Sequence, residues 1–255
     1  MSTFKAYFKK EVLESKRQYK YIILAVSFIF FAIMDPIMVK LLPELLKSQL
    51  TKGSGDISAF LPPMTQLSGM QNYNKDIFQI VTLVIIFTIC SGLSDEITTE
   101  KLIFPYSKGS LPHGIVLAKL VNYTLAVSIF TFLGLSVNYY YSGLLLKGTS
   151  VAFTAVLASA AYLSIYYFYT ISLILFFSSL IKKGIITGII VLVINYFSVA
   201  FIGIKNISKF IPYKLVESAG QFKYLNISTT IISIIILSIL FIYLTIRKMN
   251  KVEVV

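Results

Sequence analysis

Apolar residues dominate six stretches of the chain, and a more polar segment separates each stretch from the next. These stretches are residues 21–39, 77–93, 116–137, 151–177, 185–202 and 230–246. The shortest holds 17 residues, the lower end of the ~17–25 residues with which a helix crosses a bilayer. The pattern predicts an all-α polytopic membrane protein in which residues 1–255 form one domain with six transmembrane helices.

The segment before the first stretch has a different pattern. Over residues 1–20, Phe4, Tyr7, Phe8 and Val12 fall on one helical face, and most of the lysines fall elsewhere. An amphipathic helix of this kind lies along a membrane surface rather than across it. We therefore predict an interfacial helix at residues 1–20.

Two of the polar connections are long. Residues 40–76 contain Gly53-Ser54-Gly55-Asp56 and Pro62-Pro63, which indicate an irregular loop. Residues 203–228 mix apolar residues with lysines around Pro212, a pattern typical of short amphipathic pieces at a membrane face.

Composition supports a membrane protein and argues against a nucleic-acid-binding one. Hydrophobic residues make up 56% of the chain, charged residues 13%, and the mean hydropathy is +0.80. The net charge of +12 comes from lysines and arginines spread over the ends of the apolar stretches, without a basic domain. Of these 23 residues, 14 lie in segments that are cytoplasmic if the amino terminus is inside, and 9 lie in the external segments. The positive-inside rule therefore predicts that both termini are cytoplasmic.

The sequence offers little for catalysis or for binding a cofactor. It contains one cysteine, Cys90, and one histidine, His113, so a multi-histidine metal site or a histidine triad cannot form. No stretch matches the glycine-rich loop that wraps nucleotide phosphates. We expect no catalytic, metal or cofactor site in this chain, and if transport is driven by ATP, the ATPase is another polypeptide.

The most distinctive polar segment joins the second and third stretches, from Ser94 to Gly114. Acidic residues flank the short apolar piece Leu102 to Tyr106, which suits a helix at the cytoplasmic surface that presents side chains to a soluble partner. An ordinary solvated loop fits the periodicity equally well.

Two regions of the chain resemble the permease subunits of bacterial type-2 ATP-binding-cassette (ABC) exporters. The first runs from Phe8 to Arg17 and continues through the first stretch into Asp35 to Leu46. The second, Glu96 to Lys119, retains Glu96, Ser107-Lys108-Gly109 and Lys119, but has Glu100-Lys101 where the family shows Gly-Thr and Pro112 where it shows arginine.

The resemblance implies a bacterial cytoplasmic membrane, separate ATPase subunits that bind ATP and magnesium, and a second permease, either another copy or a homologue. It also implies a coupling helix between spans two and three, and re-entrant pieces before the last span. The residues that it assigns to ATPase coupling are Asp95, Glu96, Glu100, Lys108, Gly109 and His113, together with Glu11 and Glu14 of the amino-terminal helix.

Polar groups inside the apolar stretches are candidates for a translocation path, because a charge in hydrocarbon costs ~2.5 kcal/mol or more. Asp35 is the one acidic residue within a predicted span, and it either lines a path, binds a cation or reaches the interface. The other candidates are Asn122, Tyr162, Tyr166, Tyr169 and Asn195, for which helix packing is the alternative.

Three functions are compatible with these patterns. An export permease driven by separate ATPase subunits, with membrane lipids around it, is favoured by the resemblance. An ion-coupled secondary transporter would depend on Asp35, although the sequence shows no clear internal repeat. An intramembrane enzyme would need paired catalytic groups in the bilayer, and the predicted spans contain only one aspartate.

Overall fold

The computed structural model describes residues 3–49, 65–148, 150–204, 207–224 and 227–251. All regular secondary structure in these ranges is helical. The α-helices are α1 (Thr3–Arg17), α2 (Lys20–Gln49), α3 (Gln66–Asp76), α4 (Thr82–Ile89), α5 (Ser91–Thr98), α6 (Ile103–Ser107), α7 (Pro112–Leu145), α8 (Phe153–Leu180), α9 (Gly184–Phe197), α10 (Tyr213–Ala219) and α11 (Ser228–Met249).

Six helical segments in the described ranges are long and apolar enough to cross a membrane, as the sequence predicts. They are Lys20–Leu41, Gln66–Thr98, Pro112–Leu145, Phe153–Leu180, Gly184–Phe201 and Ser228–Met249. Their apolar windows have mean hydropathies of 1.6 to 2.5, and length and composition together suggest a multi-pass membrane protein.

The second helical segment, Gln66–Thr98, begins well before the predicted stretch. The prediction of a loop over residues 40–76 is therefore wrong for residues 66–76. A capping box starts this helix: the Ser68 amide donates to Thr65 Oγ1 at 3.2 Å, and the Thr65 amide donates to Ser68 Oγ at 2.9 Å. The first helical segment also continues as part of α2 to Gln49. The predicted loop features Gly53-Ser54-Gly55-Asp56 and Pro62-Pro63 lie outside the described residues.

A π-helical segment, Ile77–Val81, connects α3 to α4. The Thr82 hydroxyl donates to the Ile77 carbonyl at 3.1 Å, and the Tyr167 hydroxyl of α8 donates to the same carbonyl at 3.3 Å. These bonds satisfy a carbonyl in the widened turn. Single π turns inside α-helices are found frequently at functional sites.

Helix α8 is the most enclosed of the six, with 61% of its apolar window buried, and it packs against α7, α9, α10 and α11. Helix α10 lies in the predicted 203–228 connection and buries Leu215, Val216 and Ala219, so this connection contains a short helix that packs against the bundle. The Ser159 hydroxyl of α8 donates to the Ala219 carbonyl at 2.9 Å and holds α10 in place.

The apolar residues on the outside of the bundle face no other part of the described chain. In the fifth and the sixth helical segments, only 22% of the apolar stretch is buried. Ile185 of α9 and Ile236 of α11, for example, are 70% and 61% exposed. Lipid is a suitable solvent for such surfaces.

One end of the bundle brings together four segments that are distant in sequence. A small core there contains Tyr7 of α1, Leu93 of α5, Ile115 of α7 and Met249 of α11. The amino-terminal helix, the 94–111 connection and the end of α11 therefore share one end, as a chain with both termini on the same side requires.

Candidate functional site

Four charged side chains meet where α1, α5 and α7 pack together, and we call Lys10, Glu11, Glu96 and Lys119 the buried charge cluster. Lys119 Nζ lies 2.7 Å from Glu11 Oε1 and 3.1 Å from Glu96 Oε2. Lys10 pairs with Glu96 Oε1 and lies 3.5 Å from Glu11 Oε1. The side chains of Glu11 and Lys119 are 1% exposed and that of Glu96 is 4% exposed. The two lysines offset the charges of the two buried acids, and Lys10, which is 41% exposed, also lies 3.4 Å from Glu14 Oε2.

The cluster depends on a polar stripe along α1. Tyr7, Glu11 and Ser15 follow one another at spacings of four residues, so they share one helical face, and all three are buried. The sequence instead predicts that the apolar face of this helix consists of Phe4, Tyr7, Phe8 and Val12. Glu11 lies on the buried side because Lys119 offers it a partner there.

Hydrogen bonds extend the cluster along α7. The Asn122 amide donates to Ser15 Oγ at 3.2 Å, and the Tyr21 hydroxyl donates to Asn122 Oδ1 at 2.5 Å. Lys20 Nζ donates to the Tyr123 hydroxyl at 3.2 Å. Polar contacts thus tie both α1 and the start of α2 to α7.

The surroundings of Lys10 and Glu14 in α1 favour the charged forms of these two side chains. Burial lowers the pKa of Lys10, but the neighbouring Glu96 outweighs this, so that the pKa lies above its ordinary value. Burial raises the pKa of Glu14, but Lys10, Lys119 and Lys20 outweigh this and hold it below its ordinary value. The ion pair between Lys10 and Glu14, 3.4 Å apart, is therefore favoured at neutral pH.

Three carboxylates near the cluster are close enough to share a metal ion. Oxygens of Glu11, Glu14 and Glu96 lie within 4.8 Å of one another. However, Lys10 and Lys119 already place ammonium groups among them. A metal ion would be repelled by both lysines, so these residues fit an internal ion-pair network better than a metal site.

The remaining residues assigned to ATPase coupling run from Asp95 in α5, through the connection, to His113 at the start of α7. Asp95, Glu100, Lys108, Gly109 and His113 are exposed, whereas Glu11 and Glu96 are buried and Glu14 is half-buried. The prediction thus covers two groups of residues: an exposed turn, and acids inside the ion-pair network beneath it.

The backbone of this turn is left-handed at two positions. Glu100 has a φ of 56° and Gly109 a φ of 76°. Glycine adopts this conformation without strain, whereas a glutamate does so at a cost of ~1–2 kcal/mol.

Asp35 lies in a groove between α2 and α3, far from the buried charge cluster. It is 15 residues beyond Lys20, or ~22 Å along α2. Asp76, at the end of α3, lines the same groove and is close enough for its carboxyl to interact electrostatically with that of Asp35. The groove has a volume of about 530 Å³.

The other predicted path residues do not join Asp35. Asn122 lies in the network beside the charge cluster. Tyr166 and Asn195 are buried, and the Tyr166 hydroxyl donates to Asn195 Oδ1 at 2.8 Å. Tyr169 is buried against Phe241, with ring centroids 6.2 Å apart, and Tyr162 packs against the core. These contacts are those expected of the helix-packing alternative, and the described residues do not bring the six side chains together at one place.

Sequence reasoning did not find Lys10 or Asp76, and it noted Lys119 only as part of the family pattern. Asp76 was assigned to a loop because the polar residues of α3 lower the local hydropathy. The capping-box pattern Thr65-Gln66-Leu67-Ser68 was the available signal that the helix starts earlier.

Comparison of the chain with profiles of known protein families finds no match, and comparison with curated proteins finds none either.

Proposed function

We propose that the chain is the membrane-spanning permease subunit of an ABC exporter, powered by ATP hydrolysis in separate subunits. One observation carries the proposal. The two regions of the sequence that resemble these exporters meet in space, since Glu11 belongs to the first region and Glu96 and Lys119 belong to the second.

In this function the exposed turn from Asp95 to His113 is the docking surface for the ATPase. Helix α6 lies in the middle of this turn as the coupling helix, with Lys108 Nζ 4.2 Å from the centre of the Phe104 ring. Glu100 and Asp95 add negative charge that a basic surface on the partner would complement.

The buried charge cluster transmits movement of the coupling helix. Because Lys119 pairs with acids from both α1 and α5, a displacement of α5 pulls on α1 and α7 together. Helix α1, lying along the cytoplasmic membrane surface, would then move with the start of α7. Packed elements with two arrangements convert small shifts into changes between inward-facing and outward-facing states.

The translocation path in this proposal lies between two permease chains. The exposed apolar residues of α2, α9 and α11 supply surfaces for lipid and for the second permease. Both termini are cytoplasmic, in agreement with the distribution of lysine and arginine.

Charge reversal at the exposed turn tests the proposal. The variant Glu100→Lys keeps an ordinary side chain at the left-handed position and reverses one docking charge. We expect at least ~10-fold weaker binding to the ATPase subunits that co-purify with the wild-type chain, together with loss of the ATP hydrolysis that the chain stimulates.

The matched control is Glu217→Lys, the same substitution in α10. Both variants are reconstituted in nanodiscs and their binding to the ATPase is measured. If Glu100→Lys binds and stimulates the ATPase as strongly as Glu217→Lys, then the turn is not the docking surface. Glu96 is unsuitable for this test because its burial would combine docking with folding.

A second candidate function, an ion-coupled secondary transporter, is favoured by the presence of Asp35 and Asp76 in one groove. Paired carboxyls inside transporters relay protons or bind coupling cations. This function predicts substrate movement in proteoliposomes that contain only this chain and an imposed ion gradient, without any ATPase.

A further inference from the structure

The groove between α2 and α3 is lined by two neighbouring acids, Asp35 and Asp76, and neither forms an ion pair within the described chain. Asp35 is 7% exposed, and its Oδ2 atom is buried without a hydrogen-bond partner. Among the described residues, no lysine, arginine or histidine nitrogen comes within 4.0 Å of either carboxyl. Lys75 lines the groove but forms no ion pair with Asp35 or Asp76.

Two neighbouring carboxyl groups repel each other if both are ionised, and a buried oxygen without a partner is costly. A bound cation removes both penalties at once. Because the orphan oxygen is a hydrogen-bond acceptor, a cation that carries N–H groups satisfies it better than one without hydrogen-bond donors.

The walls of the groove are mostly apolar. They include Phe30, Phe31, Met34, Met38 and Val39. Aromatic rings attract cations through their faces, and methionine adapts to apolar groups of different shapes. The volume of about 530 Å³ lies in the usual range of ~300–1,000 Å³ for small-molecule sites and is much larger than a bare metal ion needs.

We propose that this groove binds an organic ammonium ion with an apolar body, whose N–H groups bond to Asp35 and Asp76 while its apolar part contacts the phenylalanines and methionines. That the ligand is transported rests on the proposed function, but its binding does not. Asp76 directly precedes the π segment, and Gln79 of that segment also lines the groove. The ligand therefore contacts the π segment as well as helix α2.

Binding of a defined probe to the purified chain in nanodiscs tests this site. The probe is 4-(trifluoromethyl)phenethylammonium, followed by its fluorine NMR signal, with the corresponding alcohol as a neutral probe and empty nanodiscs as the lipid control. We expect saturable binding of the ammonium probe, and binding of the alcohol weaker by at least ~10-fold.

The double variant Asp35→Asn/Asp76→Asn keeps the side-chain shapes and removes both charges. We expect it to lose at least ~10-fold in affinity for the ammonium probe, whereas the control Glu217→Gln binds as the wild type does. Burial of Cys90 in each variant, measured by resistance to thiol labelling, shows that the bundle is folded.

Two results would overturn the inference. One is the absence of saturable ammonium binding, which would mean that the acids satisfy each other by sharing a proton. The other is an affinity that is the same for the alcohol as for the ammonium probe, or the same in the double variant as in the wild type. Either result would indicate that the probe partitions into lipid. Neither result bears on ATPase docking, because the assay contains no ATPase and no nucleotide.

Discussion

Replacement of Lys119 by methionine removes the cation that two buried carboxylates share. The side chain is 1% exposed, and its ammonium lies 2.7 Å from Glu11 and 3.1 Å from Glu96. Only Lys10 then remains to balance both acids. Breaking a buried ion pair by removal of one partner costs ~3–5 kcal/mol, so we expect Lys119→Met to lose that much of the free energy of unfolding.

A double-mutant cycle separates lost pairing from lost packing. In Lys119→Met/Glu11→Gln, the Lys10–Glu96 pair remains, and Lys10 still lies beside Glu14 as it does in the wild type. We expect the double variant to be more stable than Lys119→Met alone, with a coupling energy of ~1–3 kcal/mol. The control Lys108→Met makes the same substitution at an exposed position and should change stability by less than ~0.5 kcal/mol.

The single cysteine provides the assay. The chain contains no tryptophan, but Cys90 is 3% exposed and becomes accessible to a thiol-reactive fluorophore only when the bundle opens. Labelling is measured against denaturant concentration in nanodisc or detergent samples. The reasoning is refuted if Lys119→Met unfolds at the same denaturant concentration as Lys108→Met, or if Glu11→Gln simply adds a further loss.

Three other predictions follow from the packing, the backbone and the charges. Gly134→Ala places a Cβ against the Tyr73 hydroxyl and should destabilise the bundle by ~1–3 kcal/mol in the same labelling assay. The control Gly203→Ala, whose Cβ meets nothing within 4 Å, should leave stability unchanged, and equal effects of the two substitutions would contradict this packing. Glu100→Gly removes the strain of a φ of 56° and should stabilise the chain by ~1 kcal/mol, and a loss of stability would show that the side chain matters more. Nearby lysines hold the pKa of Glu14 below its ordinary value of 4.5 despite its burial, so its contribution to stability is present above that value and is lost as the pH falls through the lowered pKa. In circular-dichroism melts between about pH 6 and pH 3.5, Glu14→Gln should therefore lose less stability on acidification than the wild type. Parallel losses of stability would contradict the assignment.

The six long helices were predictable because the length and hydropathy of a stretch are local properties that the sequence contains directly. The predicted stretch 116–137 and the helix Pro112–Leu145 differ only at their ends, where polar residues extend the helix beyond the apolar core. A proline at the first helical position explains the earlier start of α7, since its missing amide proton costs nothing there.

The charge cluster was not predictable from local patterns. Glu11 and Lys119 are 108 residues apart, and a glutamate in an amphipathic helix is expected on the solvated face. Only the packing of α1 on α7 turns this residue inward. The same is true of Lys20, which the pattern assigned to the polar face and which is buried against Tyr123.

Only one of the two acids in the groove between α2 and α3 was predictable from the sequence. Asp35 was visible as an acid in an apolar stretch, but its neighbour Asp76 lies in a helix whose polar composition resembles a loop. The π segment after Asp76 leaves no signal in the sequence pattern, because it results from the hydrogen bonds of Thr82 and Tyr167 to a single carbonyl.

The mass of the intact complex tests the proposed function most directly. The chain, of 28.6 kDa, is tagged, extracted from its native membrane with mild detergent, and measured by native mass spectrometry. We expect a complex of two permease chains with two copies of a chain that carries a phosphate-binding loop and hydrolyses ATP. A chain that is recovered alone, without any nucleotide-hydrolysing partner, would contradict the account.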